Sequence, residues 1–264
     1  MTRIIVVASG KGGVGKTTVT VNLADALTDF GRSVVIIDGN ITTPNVTLHL
    51  GIKNTPYTLH DVLDERIPSI RNATYLHKSG VHVVPAGMSI QNLKRKVKKS
   101  LGAAILDLIG AVDFIIIDSA PGLGSEARAS MEAANEILIV TNPELPAVTD
   151  ALKAVELAKS FNTKPIGVVI NKHSGDSFEM SPSNISAFLD TPVLCVIPEN
   201  KIVKMSISRR NTVVNEFPNS STSRKFRELA AKMLGEKYEY KENTGIVQRL
   251  KNIFGGSKSG PYSR

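Results

Sequence analysis

The sequence predicts an open α/β fold in which a mostly parallel, twisted sheet carries helices on both faces. Short continuous runs of β-branched and aliphatic residues recur along the 264 residues, as expected for parallel strands covered on both sides. Segments with helical spacing of apolar residues alternate with these runs, which favours right-handed crossovers. A glycine-rich loop between the first strand and the first helix is the strongest single observation.

The strands and helices follow from these two patterns. The predicted strands cover residues 4–8, 34–38, 81–85, 114–118, 137–141, 166–171 and 193–197. The predicted helices cover residues 17–30, 90–109, 125–134, 147–161 and 222–234. Gly31 is predicted to cap the first helix, because glycine readily adopts the left-handed backbone found at helix ends.

Composition excludes several classes of protein. The hydrophobic content of 42% is that of a globular chain. One cysteine, Cys195, excludes a disulfide framework and a thiolate cluster built by one chain. No apolar run approaches the length needed to span a bilayer, and the N-terminal run is too short for a secretory signal. These features predict a soluble cytoplasmic protein.

The chain is predicted to have three parts. Residues 1–234 form the main domain, residues 235–244 a polar linker, and residues 245–264 a basic tail that is disordered at its end. Residues 1–200 hold 18 basic and 19 acidic side chains, whereas residues 201–264 hold 14 basic and 5 acidic ones. A basic end on a nearly neutral body favours a polyanionic partner, either an acidic membrane surface or nucleic acid.

Residues 9–18 read SGKGGVGKTT and match the phosphate-loop pattern G-x-x-x-x-G-K-[ST]. Glycines let the backbone amides point at phosphate oxygens. Lys16 is predicted to contact the β- and γ-phosphates of a nucleotide, and the Thr17 hydroxyl to ligate Mg²⁺. The predicted nucleotide-binding residues of this loop are Gly10, Lys11, Gly12, Gly13, Val14, Gly15, Lys16, Thr17 and Thr18.

Carboxylates end two other predicted strands. Asp118 ends the strand in FIIIDSAPG, where a carboxylate is suited to hold the shell of a magnesium ion. Asp38 ends the second strand, and Asn40 lies in the loop beyond it. Ligands of open α/β sheets bind at this edge.

Together these segments resemble the MinD/ParA family of P-loop ATPases, and within it the MinD branch. The resemblance rests on the extra lysine of KGGVGKTT, which marks the deviant Walker A loop, on the D-x-x-x-x-x-P-N loop after the second strand, and on IIIDSAPG and TNPE followed by VTDA. It covers roughly residues 2–235. It implies a P-loop NTPase fold and Mg²⁺-dependent hydrolysis of ATP to ADP by a homodimer that sandwiches two nucleotides.

The resemblance also assigns roles. Lys11 would reach the phosphates bound by the partner subunit, and Asp38 would lie near the Mg²⁺ and the attacking water. Asn171 and Pro198 match positions that contact adenine. Where the family usually has a second aspartate, this chain has Asn40, which orients water but accepts no proton near neutral pH. Hydrolysis is therefore expected to be slow.

The tail has an apolar helical face with a basic rim. Its apolar residues recur at i, i+1, i+4, i+7 and i+8, a spacing that suits the interface of an anionic bilayer. The alternative is a terminal helix docked on the core of its own domain. The predicted membrane-contacting residues are Ile246, Val247, Leu250, Ile253 and Phe254, with Arg249 and Lys251 on the rim.

The sequence thus predicts an ATP-dependent dimerising switch, peripheral on the inner face of the cell membrane, that positions the division site or another cellular structure. Its protein activator or cargo is unidentified. The alternative is a ParA-type ATPase that partitions DNA through its basic C-terminal part. An iron–sulfur carrier needs more cysteines than Cys195, and a metabolic ligase needs a substrate pocket that no motif marks. The basic run at residues 94–99 is either a solvated helix face or a contact for nucleic acid or anionic lipid.

Overall fold

The computed structural model describes residues 1–87 and 98–239 of the chain. Within them a single sheet of eight strands has the order β3-β4-β2-β5-β1-β6-β7-β8. Every neighbouring pair is parallel except β3 and β4, so the predicted fold class is confirmed. The strands are β1 (Arg3–Ala8), β2 (Val34–Gly39), β3 (Tyr75–Leu76), β4 (His82–Val84), β5 (Phe114–Ser119), β6 (Glu136–Thr141), β7 (Lys164–His173) and β8 (Val193–Pro198).

The helices cover both faces of this sheet. They are α1 (Lys16–Asp29), α2 (Val46–Leu50), α3 (Leu59–Leu63), α4 (Leu101–Ile105), α5 (Ser125–Glu132), α6 (Leu145–Ser160), α7 (Pro182–Leu189), α8 (Lys201–Ser208), α9 (Val213–Glu216) and α10 (Ser221–Leu234). In the described part of the chain, 3₁₀ turns cover Ile70–Ala73 and Leu106–Leu108. No helix within the described ranges is both long enough and apolar enough to cross a membrane.

Two hydrophobic cores lie on opposite faces of the sheet. Along β1, Ile4 and Val6 belong to the core that contains α5 and α6, whereas Ile5 and Val7 belong to the core that contains α1 and α10. Successive residues of a strand point to opposite faces. This two-sided burial explains why the strands appear in the sequence as continuous apolar runs.

One predicted helix is wrong in its extent. Residues 88–97 lie outside the described part of the chain, and α4 begins only at Leu101. Ser100 has an extended backbone and accepts a hydrogen bond from the amide of Ala103, so it is an N-cap. The α-helix ends at Ile105 and continues as a 3₁₀ turn.

The sequence analysis also missed α2, α3, α7, α8, α9 and the short strand β3. Each spans eight residues or fewer, which is too short for a clear apolar period. The predicted cap at Gly31 directly follows the C-cap residue Phe30, and the amides of Gly31 and Arg32 bond back to the last turn of α1.

The first residues of the predicted linker contact the main domain. Glu236 forms an ion pair with Arg32, and the ring of Tyr238 packs edge-on against Phe30. The rest of the linker and the predicted membrane tail lie outside the described residues.

Candidate functional site

The loop between β1 and α1 lines one end of a cavity. Gly13 and Gly15 have φ angles of +80° and +95°, which other residues rarely adopt. A Cβ atom on Gly15 would lie 2.2 Å from the side-chain nitrogen of Asn171. Backbone angle and space both require glycine here, and α1 begins directly after it. The amides and positive end of a helix N-terminus favour a bound anion.

Lys16 carries the charge of this loop in a buried position. It is only 7% exposed. Burial lowers the pKa of Lys16, and the charge of Asp118 opposes that change. A buried cation that faces a cavity is stabilised when an anion binds there. Lys16 is therefore suited to hold phosphate.

Two buried carboxylates lie below the loop. Asp38 on β2 and Asp118 on β5 are register partners on adjacent strands. Burial raises the pKa of both carboxyl groups, and the charge of Asp118 raises the pKa of Asp38 further. A divalent cation would relieve this repulsion. Two carboxylates are oxygen donors of the kind Mg²⁺ prefers, so the residues present fit the ion.

The hydroxyl groups of α1 complete this arrangement. Thr17 Oγ1 donates to Asp118 at 2.6 Å, and Thr20 Oγ1 donates to the same carboxylate at 3.1 Å. Asp38 accepts hydrogen bonds from the amides of Asn45 and Val46 at the start of α2. Asp118 thus links β5 to α1, and Asp38 links β2 to the start of α2.

The cavity has a volume of about 450 Å³, which is within the range of small-molecule sites. Its phosphate end is formed by the glycine-rich loop and the loop after β2. Its far end is formed by the ends of β7 and β8 and by α8. The lining residues predicted from the sequence are Gly12, Gly13, Gly15, Lys16, Thr17, Thr18, Asn40, Asn171 and Pro198.

Other predicted site residues lie around the cavity without lining it. Gly10 packs against α6, where a Cβ would lie 1.9 Å from the carbonyl oxygen of Asp150. Val14 is buried in the core, and Lys11 is exposed. Asp38 and Asp118 are almost completely buried beneath the cavity wall.

Asn40 is engaged within its own loop. Its Nδ2 donates to the carbonyl of Thr43 at 2.6 Å, and its Oδ1 accepts from the Thr43 amide and hydroxyl. In this conformation the side-chain amide of Asn40 stabilises the loop after β2. An aspartate at this position would add a negative charge to the loop.

Several lining residues were not predicted from the sequence. His49 of α2 lies near the phosphate end, and Val203, Lys204 and Ile207 of α8 lie at the far end. Lys172 also lines the cavity, and its Nζ donates to the carbonyl of Gly13. Only its position directly after Asn171 could have indicated Lys172, and no sequence signal marks the residues of α8.

Comparison with known proteins places these features in context. A sequence model of the ParA family, described as "NUBPL iron-transfer P-loop NTPase", matches residues 1–234. The chain is 35% identical over 255 residues to an uncharacterized ATP-binding protein of Methanocaldococcus jannaschii, covering 95% of this chain and 96% of that protein.

Two septum site-determining proteins are also similar. MinD of Thermotoga maritima is 33% identical over 274 residues, which cover 98% of this chain and 100% of that protein. The solved structure of MinD from Pyrococcus horikoshii, complexed with Mg-ADP, matches with a TM-score of 0.84 at 34% identity. That match covers 88% of this chain and 96% of the solved chain.

Proposed function

The chain belongs to the MinD/ParA family of P-loop ATPases and hydrolyses ATP with Mg²⁺, and on that basis we propose that it is a dimerising switch that cycles on a membrane surface. The observation that carries the proposal is the contrast between two lysines of one loop. Lys16 is buried and lines the cavity of its own subunit, whereas Lys11 is exposed and does not line it. An exposed lysine beside the cavity is available to a nucleotide bound by a partner subunit.

Each site residue has a defined part in this proposal. The amides of the glycine-rich loop and the ammonium of Lys16 hold the phosphates, while Thr17, Asp118 and Asp38 hold Mg²⁺. When bound, Mg²⁺ neutralises charge that develops on the phosphate oxygens. Asn171 and Pro198 lie along the wall that leads to the adenine end. Because Asn40 bonds to Thr43 and carries no charge, we expect slow hydrolysis, and Asn40→Asp tests whether it limits the rate.

The tail would convert dimerisation into membrane attachment. Five large apolar side chains give several kcal/mol of burial, at about 1.5–3 kcal/mol each, and ordering the segment removes much of this. One tail therefore binds weakly, and two tails in a dimer bind much better through effective concentration. The relatives named septum site-determining proteins support division-site positioning as the purpose, with a protein activator or cargo as a further partner.

Sedimentation with anionic liposomes tests the membrane proposal. The full chain and a chain that stops at Thr244 are compared with ATP, with ADP and without nucleotide. We expect ATP-dependent pelleting of the full chain that the truncation abolishes. Leu250→Glu, which places a negative charge on the apolar face, should behave like the truncation, and Ser257→Glu, which adds the same charge beyond that face, should leave most pelleting intact.

Other results would contradict this proposal. Pelleting that ignores nucleotide would indicate charge attraction alone. No pelleting under any condition would exclude the membrane switch and leave the ATPase intact.

DNA partition is the less favoured alternative. The relatives reported above are not DNA-partition proteins by name, and several basic residues of the last quarter already have acidic partners. Arg209 pairs with Glu216, Lys225 with Glu228, and Arg227 with Asp29. Iron transfer is not proposed, because Cys195 is the only cysteine and burial raises its thiol pKa to about 11.

A further inference from the structure

Two adjacent side chains at the end of β7 hold two adjacent carbonyls of the phosphate loop. Asn171 Nδ2 donates to the carbonyl of Val14 at 2.8 Å, and Lys172 Nζ donates to the carbonyl of Gly13 at 2.7 Å. The contacts join parts of the chain that are 157 and 159 residues apart. Asn171 is buried, whereas Lys172 is exposed and also lines the cavity.

The direction of these carbonyls matters for phosphate binding. A loop binds phosphate when its amides point inward, and a carbonyl turned the same way would repel the phosphate oxygens. Gly13 and Gly15 are flexible about their backbone bonds, so glycines alone do not fix that direction. A hydrogen bond from a charged donor to the Gly13 carbonyl holds that peptide group in one orientation.

The backbone of Lys172 supports a specific role. Its φ angle is +56°, a left-handed conformation that is unfavourable for a residue with a side chain. Such angles persist where the surrounding structure fixes them, and they cluster at functional sites. At Lys172 this conformation accompanies the side-chain contact with the loop.

We propose that Lys172 is a positioning residue for the β-phosphate of the nucleotide, acting through the carbonyl of Gly13. The loop amides cradle the α- and β-phosphates. AMP lacks the β-phosphate, so ADP and ATP depend on the loop more than AMP does. Lys172 thus adds a fixed loop geometry to the charge that Lys16 supplies.

Binding measurements on the full chain test this proposal. Isothermal titration gives the Kd of ADP, ATP and AMP for the wild type, Lys172→Met and Lys172→Arg. We expect Lys172→Met to weaken ADP and ATP binding about tenfold, as for one lost charged hydrogen bond. AMP binding should change by less than about twofold, and Lys172→Arg should recover most of the loss because arginine also donates.

Two control variants separate the contact from the charge. Lys204→Met removes the same charge from the wall of the same cavity, at a residue whose side chain makes no hydrogen bond in the described structure. Its effect on ADP should be smaller and should vanish in high salt, because a distant charge is screened. Lys201→Met, at the exposed start of α8, should bind ADP as the wild type does.

Hydrogen exchange gives a readout that needs no nucleotide. The amides of residues 13–15 should exchange faster in the free Lys172→Met protein than in the free wild type, with exchange in α6 unchanged. The proposal is overturned if ADP and AMP weaken equally, if Lys172→Met and Lys204→Met behave alike and both recover in high salt, or if loop exchange is unchanged. Equal thermal midpoints for wild type and variant establish that the fold is intact.

Discussion

The two halves of helix α1 use buried polar side chains for opposite purposes. In the first half, Lys16 is buried against a cavity, and Thr17 bonds to Asp118, a buried carboxylate that also interacts with the charge of Lys16. In the second half, Asn22 and Asp25 are equally buried but bond to the start of α9. The first half faces a cavity that a ligand can fill, and the polar groups of the second half are bonded within the fold.

In the second half of α1, the fold itself supplies hydrogen-bond partners for the buried polar side chains. Asn22 Oδ1 accepts from the amides of Val213 and Val214, and its Nδ2 donates to the carbonyl of Thr18. The first amides of a helix have no partner within the helix, so Asn22 caps α9 from a different helix. Asp25 accepts from the hydroxyl of Thr212, the N-cap residue of α9. These buried polar groups find their partners within the fold and need no ligand.

The largest effect is expected at Lys16. Replacing Lys16 by Met should weaken ATP binding by more than about a hundredfold, since the phosphates lose a buried charge. Isothermal titration measures this loss, and the thermal midpoint without nucleotide should stay within a few degrees. Affinity within threefold of the wild type would show that the first half of α1 does not need a ligand.

The next effect is expected at Asn22. Asn22→Leu should lower the free energy of unfolding by about 2–4 kcal/mol, because two buried amides of α9 lose their acceptor. Urea denaturation measures this change, and Asn184→Leu, at an exposed position of α7, is the control. ADP affinity should stay unchanged where both proteins are folded. If Asn22→Leu reduced ADP affinity as strongly as stability, the division of α1 into two halves would fail.

Asp25, in the second half of α1, makes the stability of the protein depend on pH. Burial raises the pKa of Asp25 to about 6, despite the hydrogen bond from Thr212. The folded protein therefore keeps a proton that the unfolded chain has already lost, so the contribution of Asp25 to stability is full below about pH 4 and is lost as the pH rises to about 6. The free energy of unfolding of Asp25→Asn, relative to that of the wild type, should rise by about 2–3 kcal/mol from pH 4 to pH 8. Urea denaturation at both pH values measures it, and a constant difference would refute the raised pKa.

The smallest effect is expected at Asp118, and it depends on Mg²⁺. The hydroxyls of Thr17 and Thr20 bond to different oxygens of Asp118, so Asp118→Asn keeps an oxygen acceptor for one of them and removes the charge. Mg²⁺ should then improve ATP affinity about tenfold less than it does in the wild type, for the loss of one charged ligand. Titration of ATP with Mg²⁺ and with EDTA measures this difference. An unchanged effect of Mg²⁺ on ATP affinity would show that Asp118 does not bind the cation.

Much of this fold could be predicted from short stretches of the sequence. The strands through residues 34–38 and 114–118 were found because burial on both faces leaves a continuous apolar run. The phosphate end was found because its glycines, Lys16 and Thr17 are contiguous in the chain, so one short pattern holds the whole chemistry. Asp118 was found from its place at the end of a strand.

Other parts depend on contacts that no local pattern contains. Lys172 and Gly13 lie 159 residues apart, and Asn22 and Val213 lie 191 residues apart. The far wall of the cavity comes from α8, a short helix with one buried residue, Ser206. The sequence did not show that Asn40 bonds to Thr43, because that contact depends on how the loop after β2 folds.

By itself, then, the sequence determined seven of the eight described strands, the helix that follows the phosphate loop, and the chemistry of that loop, because each depends on neighbours within about ten residues. Only the tertiary structure decided which buried polar groups of α1 face a ligand and which face α9. It also decided which side chains fix the loop from outside. Periodicity records that a residue is buried, but the partner of a buried polar group is set by the packing of distant segments.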